Sequence, residues 1–307
     1  MAKKEKEKEI VSADGSRAIS KWRVSDVVIV VFVTILCLTC VLPFVHLAAK
    51  SISGNSQVMA KNVFFIPKDI TFEAYQAVFA DKSLTYSMVY SVFVTLLFTL
   101  MGMIVCICAA YPLSKKRLKG RSVLTFLVMV PMYFSAGLIP TYLLYSKLKM
   151  LDTMWVLILP LIYSAYNMLI MKNFFQSTIP DSLEESAFLD GATNFQILTK
   201  IVLPLSKPIL ATLSLFYAVG RWNAYSDNMY YIRKRDDLKM VQYLLYRMVA
   251  SATEAQTTAL SEASAVTSTP EVLQAASVMF VTIPIIIIYP FIQKYFVKGT
   301  MVGAVKG

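Results

Sequence analysis

Hydrophobic and polar positions are sharply segregated along this chain, with long apolar runs separated by short segments that gather the charge. Five runs contain no Asp, Glu, Lys, Arg or His: residues 27–45, 83–114, 122–146, 153–171 and 272–293. About 20 apolar residues at 1.5 Å rise cross a hydrocarbon core of about 30 Å, so each run predicts a transmembrane helix. A sixth run, residues 208–220, is only 13 residues long before Arg221. It reaches spanning length when extended to Ser226, which requires Arg221 to snorkel to the far interface. Prolines 43, 131, 140, 160, 284 and 290 fall within or at the ends of these runs and predict kinked helices.

Composition agrees with that pattern: 57% of residues are hydrophobic and 16% charged. The fold class expected is all-α, a polytopic membrane protein with six transmembrane helices. Charge orients it. With the N-terminus inside, inner segments carry 18 of the 30 Lys and Arg residues, and the densest of them is "SKKRLKGR", residues 114–121. This places both termini in the cytoplasm. A net charge of +11 is then explained by a basic face against anionic membrane lipid, with no nucleic acid as partner. Residues 1–25 read as a charged cytoplasmic tail, not a cleavable signal. Residues 26–296 form the membrane domain and 297–307 a second cytoplasmic tail. Between spans lie an external segment with a helix capped near Thr71, a long external loop over 223–271, and an inner loop over 174–205. The external loop opens with an amphipathic helix ("DLKMVQYLLYRMV") and continues as an Ala/Ser/Thr-rich stretch.

Chemistry-bearing clusters are sparse. Cys37, Cys40, Cys106 and Cys108 lie within apolar runs and read as packing residues, and His46 has no ligand-type neighbours at metal spacing, so no metal site is expected. There is no GxxxxGK[ST] phosphate-binding loop, and no catalytic role is expected of this chain. Two other classes can be set against a transport subunit. An ion-coupled transporter predicts acidic residues inside spans, and the five strong runs have none. A membrane enzyme predicts a polar cluster at one face, which the single His and scattered acids do not form.

The inner loop holds the most informative stretch, "EESAFLDGATNFQILTKIVLP", residues 184–204. Its start predicts a helix capped by Ser182, with Glu184 and Glu185 in the first turn where the helix dipole favours acids. Leu183, Ala187 and Phe188 share an apolar stripe. Gly191 allows a reversal, and "TNFQILTKIV" supplies a second short helix that Leu203 and Pro204 end. The expectation is a cytoplasmic helix-turn-helix knob that a soluble partner could grip.

Glu185, Ser186, Ala187, Gly191, Ile201, Leu203 and Pro204 have the spacing E-A-A-x3-G-x9-I-x-L-P, with Ser186 in place of the first alanine. This resembles the EAA loop of bacterial ABC-importer permeases. "LPFVHLAAKSIS", "GRWNAYSD" and "QKYFVKGTMVGAVKG" extend the likeness over nearly the whole chain, to sugar-importer permeases of the MalG type and their Gram-positive oligosaccharide and polysaccharide subgroup. The resemblance implies a permease subunit of an ATP-driven importer for an oligosaccharide or other sugar, with a non-sugar cargo as the alternative. It implies that Glu185, Ser186, Ala187 and Gly191 enter a cleft of an ATP-binding subunit, with Glu184 beside them as a further coupling candidate, and that Ile201, Leu203 and Pro204 fix the second helix to the bundle. The implied partners are a second permease, two ATP-binding subunits that hold the ATP and Mg, and an extracellular solute-binding protein. This chain itself is expected to bind no cofactor. Candidate pathway residues are Tyr217, Arg221, Trp222 and Asn223 on the fifth span and Tyr166 and Asn167 on the fourth, because aromatic faces suit sugar C–H surfaces and amide or guanidinium groups bond hydroxyls. An aromatic belt anchor with a snorkelling Arg221 is the competing expectation for the first group.

Overall fold

The computed structural model describes residues 24–259 and 271–304. The chain is helical through each predicted span, but only three of the six are continuous. These are α1 (Val24–Ser51), α4 (Lys82–Ser114) and α14 (Glu271–Ala304). The short helices α2 (Asn55–Met59) and α3 (Glu73–Ala80) lie between the first two. Thr71 Oγ1 accepts from the Glu73 amide at 3.3 Å, while the capping position itself is Phe72, one residue later than expected. Asp81 caps α4 by accepting from the amides of Ser83 (2.8 Å) and Leu84 (3.2 Å), which satisfies donors a helix start leaves open.

The other three spans are bent pairs. In the third, α5 (Arg121–Tyr133) meets α6 (Leu138–Lys147) at 110°. In the fourth, two short 3-10 turns, Met154–Leu157 and Leu159–Leu161, precede α7 (Ala165–Thr178) with a bend of 47°. The fifth comes after the loop helices α8 (Asp181–Leu189), α9 (Asn194–Ile197) and α10 (Leu203–Leu205). There α11 (Lys207–Asn223) leaves the preceding segment at 84°. The bends have chemical causes. The third falls at a non-helical "FSAG", and the fourth at the non-helical residues 162–164, where Ser164 caps the new helix by accepting from the Asn167 amide at 3.3 Å.

Two corrections concern the loop helices. Ser182 does not cap α8; Pro180 occupies that position and Asp181 begins the helix. Pro204 does not end the second helix either, because helical backbone continues to Leu205. Residues 198–202 widen into a π-helical turn instead, which accommodates a proline that cannot bond the carbonyl four residues back.

The core lies where α4, α7 and α11 pack together, with Val94, Met168, Met171, Ile158 and Leu213 sealed from solvent. Gly102 makes the α4–α11 contact possible: a Cβ there would sit 2.8 Å from the Tyr217 ring. Helix α1 packs on α14 and, through its last turns, on the segment after it, where Ser51 Oγ and Tyr75 Oη lie 2.9 Å apart; its side chains over 24–45 are exposed, as those of a helix in hydrocarbon can be. At the end opposite α8, α12 (Ser226–Tyr231) and α13 (Val241–Ala259) close over the core. Ser91 Oγ accepts from the Val241 amide at 2.8 Å, and Asp152 Oδ1 accepts from those of Arg233 (2.7 Å) and Lys234 (2.8 Å). The amphipathic segment of the long loop is thus helical from Val241. Part of its Ala/Ser/Thr stretch, residues 260–270, lies outside the described residues, as does most of the N-terminal tail. Helix α14 runs through position 296 without a break.

Candidate functional site

Helices α8 and α9 form the expected knob. Gly191 joins them with φ +79°, a left-handed conformation that glycine adopts without steric cost. A Cβ at this position would meet nothing within 4 Å, so no neighbour in this chain demands the glycine. The second helix starts with a capping box that was legible as "TNFQ" but went unread. The Thr193 amide donates to Gln196 Oε1 at 2.8 Å, and the Gln196 amide donates to Thr193 Oγ1 at 3.3 Å.

The stripe of Ala187 and Phe188 turns inward, onto the core of the chain itself. Glu184 turns inward too and is buried, its carboxylate taking an ion pair from Lys115. Lys115 belongs to the basic turn after α4, and its neighbours repeat the pattern. Lys116 pairs with Asp181 at 2.9 Å. Arg117 donates to Asn194 Oδ1 at 2.6 Å and lies 4.3 Å from the Phe188 ring centroid. Three successive basic residues therefore clamp both helices of the knob to the end of α4. The Lys116 hydrogen bond and charge hold the Asp181 carboxyl below its ordinary pKa. Sequence reasoning assigned this basic turn to lipid and missed its acidic partners, which lie more than 60 residues further along the chain.

What the knob leaves outward is different. Glu185 and Ser186 are exposed, and so are Leu183, Leu189 and Phe195, with Leu189 90% and Phe195 73% accessible. Neither of the last two was singled out from sequence. On the bundle side, Ile197 and Val202 are fully buried, Ile201 and Leu203 are half-buried, and Pro204 is exposed.

The pathway candidates separate into groups. Asn167, Tyr217 and Arg221 line one cavity of about 200 Å³ together with Phe98, Ser164 and Phe216. Arg221 does not snorkel. It is 1% exposed, the largest fully buried side chain among the described residues. Its Nη1 donates to the Leu157 carbonyl and to Asp227 Oδ2, both at 2.8 Å. Leu157 closes the first 3-10 turn of the broken fourth span, so the guanidinium supplies a partner to a carbonyl near the break. Trp222 points into a separate, wholly apolar groove of about 380 Å³ between α4, α11 and α14. Tyr166 and Asn223 are exposed and join neither.

A bundle of continuous and broken apolar helices, with a polar helix pair bracketed to one end, defines a multi-pass membrane transport subunit. The pattern of the family of binding-protein-dependent transport system inner membrane components matches residues 102–302, which takes in the basic turn, the knob and all of the named cavity residues but Phe98, and the chain belongs to that family. It is 42% identical to the polygalacturonan/rhamnogalacturonan transport system permease protein YtcP of Bacillus subtilis (strain 168), over 94% of this chain and all of the relative. It is 38% identical to Protein LplC of the same organism, over 93% of this chain and 96% of the relative. A solved bacterial ABC transporter involved in the import of the acidic polysaccharide alginate contains a chain 33% identical to this one. The two superimpose with a TM-score of 0.81, covering 91% of this chain and all of that one.

Proposed function

We propose that this chain forms half of the translocation pathway of an ATP-driven importer whose cargo is an oligosaccharide derived from an acidic polysaccharide. The observation that carries the coupling role is the knob itself. Lys115, Lys116 and Arg117 fix α8 and α9 to α4, and the pair keeps Leu189 and Phe195 bare at its surface. Apolar residues this exposed on a polar loop mark a protein interface. The partner gripping them is an ATP-binding subunit, which holds the nucleotide and Mg. Glu185, Ser186 and Gly191 face that partner; Glu184 and Ala187 instead anchor the helix from within. A second permease completes the pathway, and an extracellular solute-binding protein delivers the cargo. The basic turn and knob then lie in the cytoplasm, with both termini.

Mechanically, closure of two ATP-binding subunits draws the knobs together. Because α8 is tied to α4, and α4 packs on α7 and α11, the displacement reaches the cavity around Arg221 as a rigid-body rotation. The names and 33–42% identity of the relatives support the cargo class, since one is named for polygalacturonan/rhamnogalacturonan transport and another belongs to an importer of the acidic polysaccharide alginate. Purification in mild detergent followed by mass spectrometry tests the assembly. Stoichiometric recovery of an ATP-binding subunit and a second permease is expected, and uptake of labelled oligogalacturonides into proteoliposomes should exceed that of malto-oligosaccharides. Recovery of the folded chain alone would refute the coupling role, and a reversed preference would refute the cargo.

A further inference from the structure

Gly102 is explained by its contact with the Tyr217 ring, whereas Gly220, about one turn beyond that tyrosine on α11, has no such reason. It lies inside a helix, where glycine is less favourable than alanine. Its backbone is not left-handed, and a Cβ there would meet nothing within 4 Å. No neighbour among the described residues requires the glycine. Its missing side chain instead leaves a wall open, because Gly220 is exposed and lines the cavity of about 200 Å³ shared by Asn167, Tyr217 and Arg221. Residues 217, 220, 221 and 224 all border that cavity, at the spacing of one helix face. From α4, Phe98 meets the Tyr217 ring edge-to-face with 5.8 Å between centroids, and the Arg221 guanidinium lies 5.8 Å from the Phe98 centroid. Ser164 and Asn167 add polar groups from the break in the fourth span. Arg221 commits Nη1 to Leu157 and Asp227 and keeps its Nε buried with no acceptor.

We infer that this cavity is a subsite for one sugar ring of the cargo, and that Gly220 sets the size of ring it admits. The inference rests on the importer reading given above. A pyranose ring has apolar C–H faces and a rim of hydroxyls, and the cavity offers both complements: the rings of Phe98, Phe216 and Tyr217, and the amide and guanidinium of Asn167 and Arg221. Its volume is below the roughly 300–1,000 Å³ of sites for drug-sized ligands, which suits a single ring and excludes a whole oligosaccharide. The rival occupant is a helix of the second permease, since Gly220 and Ala224 have the small-xxx-small spacing of close helix contacts. Such contacts join apolar surfaces by van der Waals packing, whereas this wall holds a buried guanidinium and a buried amide. The sugar is the better match.

The test is a size series at Gly220 in the intact transporter, reconstituted in proteoliposomes with labelled oligogalacturonides as the probe. Gly220→Ala adds one methyl group and should import at close to the wild-type rate, with an equal or higher melting temperature. Gly220→Leu fills the cavity and should lower the maximal rate of uptake on the order of tenfold, about 1.4 kcal/mol. It should keep its melting temperature, the ATP-binding subunit and the second permease, and use correspondingly more ATP per sugar imported. Wild-type uptake by Gly220→Leu overturns the subsite. Loss of the second permease from that variant assigns the cavity to a helix contact and overturns it too. A lowered melting temperature with both partners retained would show that the chain itself fills this space, and the open wall would be wrong. Failure of the wild type to assemble, or to import the probe, strikes at the importer or the cargo reading and takes the subsite with it, so the two kinds of failure are told apart.

Discussion

Lys115 and Glu184, 69 residues apart in sequence, form a buried ion pair that fastens the first helix of the knob to the end of α4. The Lys115 ammonium also lies 4.5 Å from the centroid of the Tyr111 ring on the last turn of α4. The pair is 12% and 8% exposed at its side chains, so solvent screens it weakly. It gives the chain a stiff link where a flexible loop would absorb a partner's motion.

Breaking one side of that pair strands a buried charge, which typically costs about 3–5 kcal/mol, whereas replacing both sides with apolar groups costs much less. Lys115→Met and Glu184→Met alone should each lower the melting temperature of the purified chain, and the double variant should recover most of the loss. ATP hydrolysis per sugar imported should rise in the double variant, because the link is gone while the fold persists. Additive losses in melting temperature would show the pair is not energetically coupled.

Gly191→Arg should insert into the membrane at normal levels and abolish transport. The open space around this position accommodates a side chain within the chain itself, and the left-handed backbone adds a penalty of only about 1–2 kcal/mol. The bulk falls where the ATP-binding subunit is proposed to dock. Normal uptake by the stably inserted variant would remove Gly191 from the interface.

Leu189→Ser and Phe195→Ser act on surface residues, so each should change the stability of the isolated chain by no more than about 0.5 kcal/mol. Recovery of the ATP-binding subunit on affinity-tagged chain should nevertheless fall several-fold. Unchanged recovery in both would place the docking surface elsewhere on the knob.

Arg221→Met leaves Asp227 half-buried without its cation and the Leu157 carbonyl without its donor, with an expected destabilisation of about 3–5 kcal/mol. Arg221→Lys keeps the charge but loses the fixed fork and should fall between the two. Thermal unfolding of the detergent-solubilised protein measures both. A wild-type melting temperature for Arg221→Met would contradict this buried role.

Asp152 carries a pH dependence. Burial alone would raise its pKa, but amide hydrogen bonds from Lys234 and Arg233 outweigh this and hold it below the ordinary carboxylate value. A depressed folded-state pKa gives stability that is present above about pH 4 and lost as pH falls through the lower folded value. Protease cleavage within residues 232–240 should therefore increase in acid, and Asp152→Asn should show the increase already at pH 7. Cleavage independent of both would mean that the loop is held by other contacts, such as Asn228 to Leu238.

Sequence alone determined the class, the number of spans and the place of the knob, because charge-free length, basic-loop bias and the spacing from Glu185 to Pro204 are local properties. It did not determine which faces those elements present. Glu184 and Leu189 lie five positions apart and on different faces of one helix, and only the docking of α8 on α4 decides that the acid is sealed against Lys115 while the leucine stays bare. Arg221 reads as an interfacial charge while its surroundings are unknown; a broken span 64 residues upstream, with a carbonyl to offer, makes burial the lower-energy position. Pairings across such distances depend on how the helices pack, and the tertiary structure alone decides them.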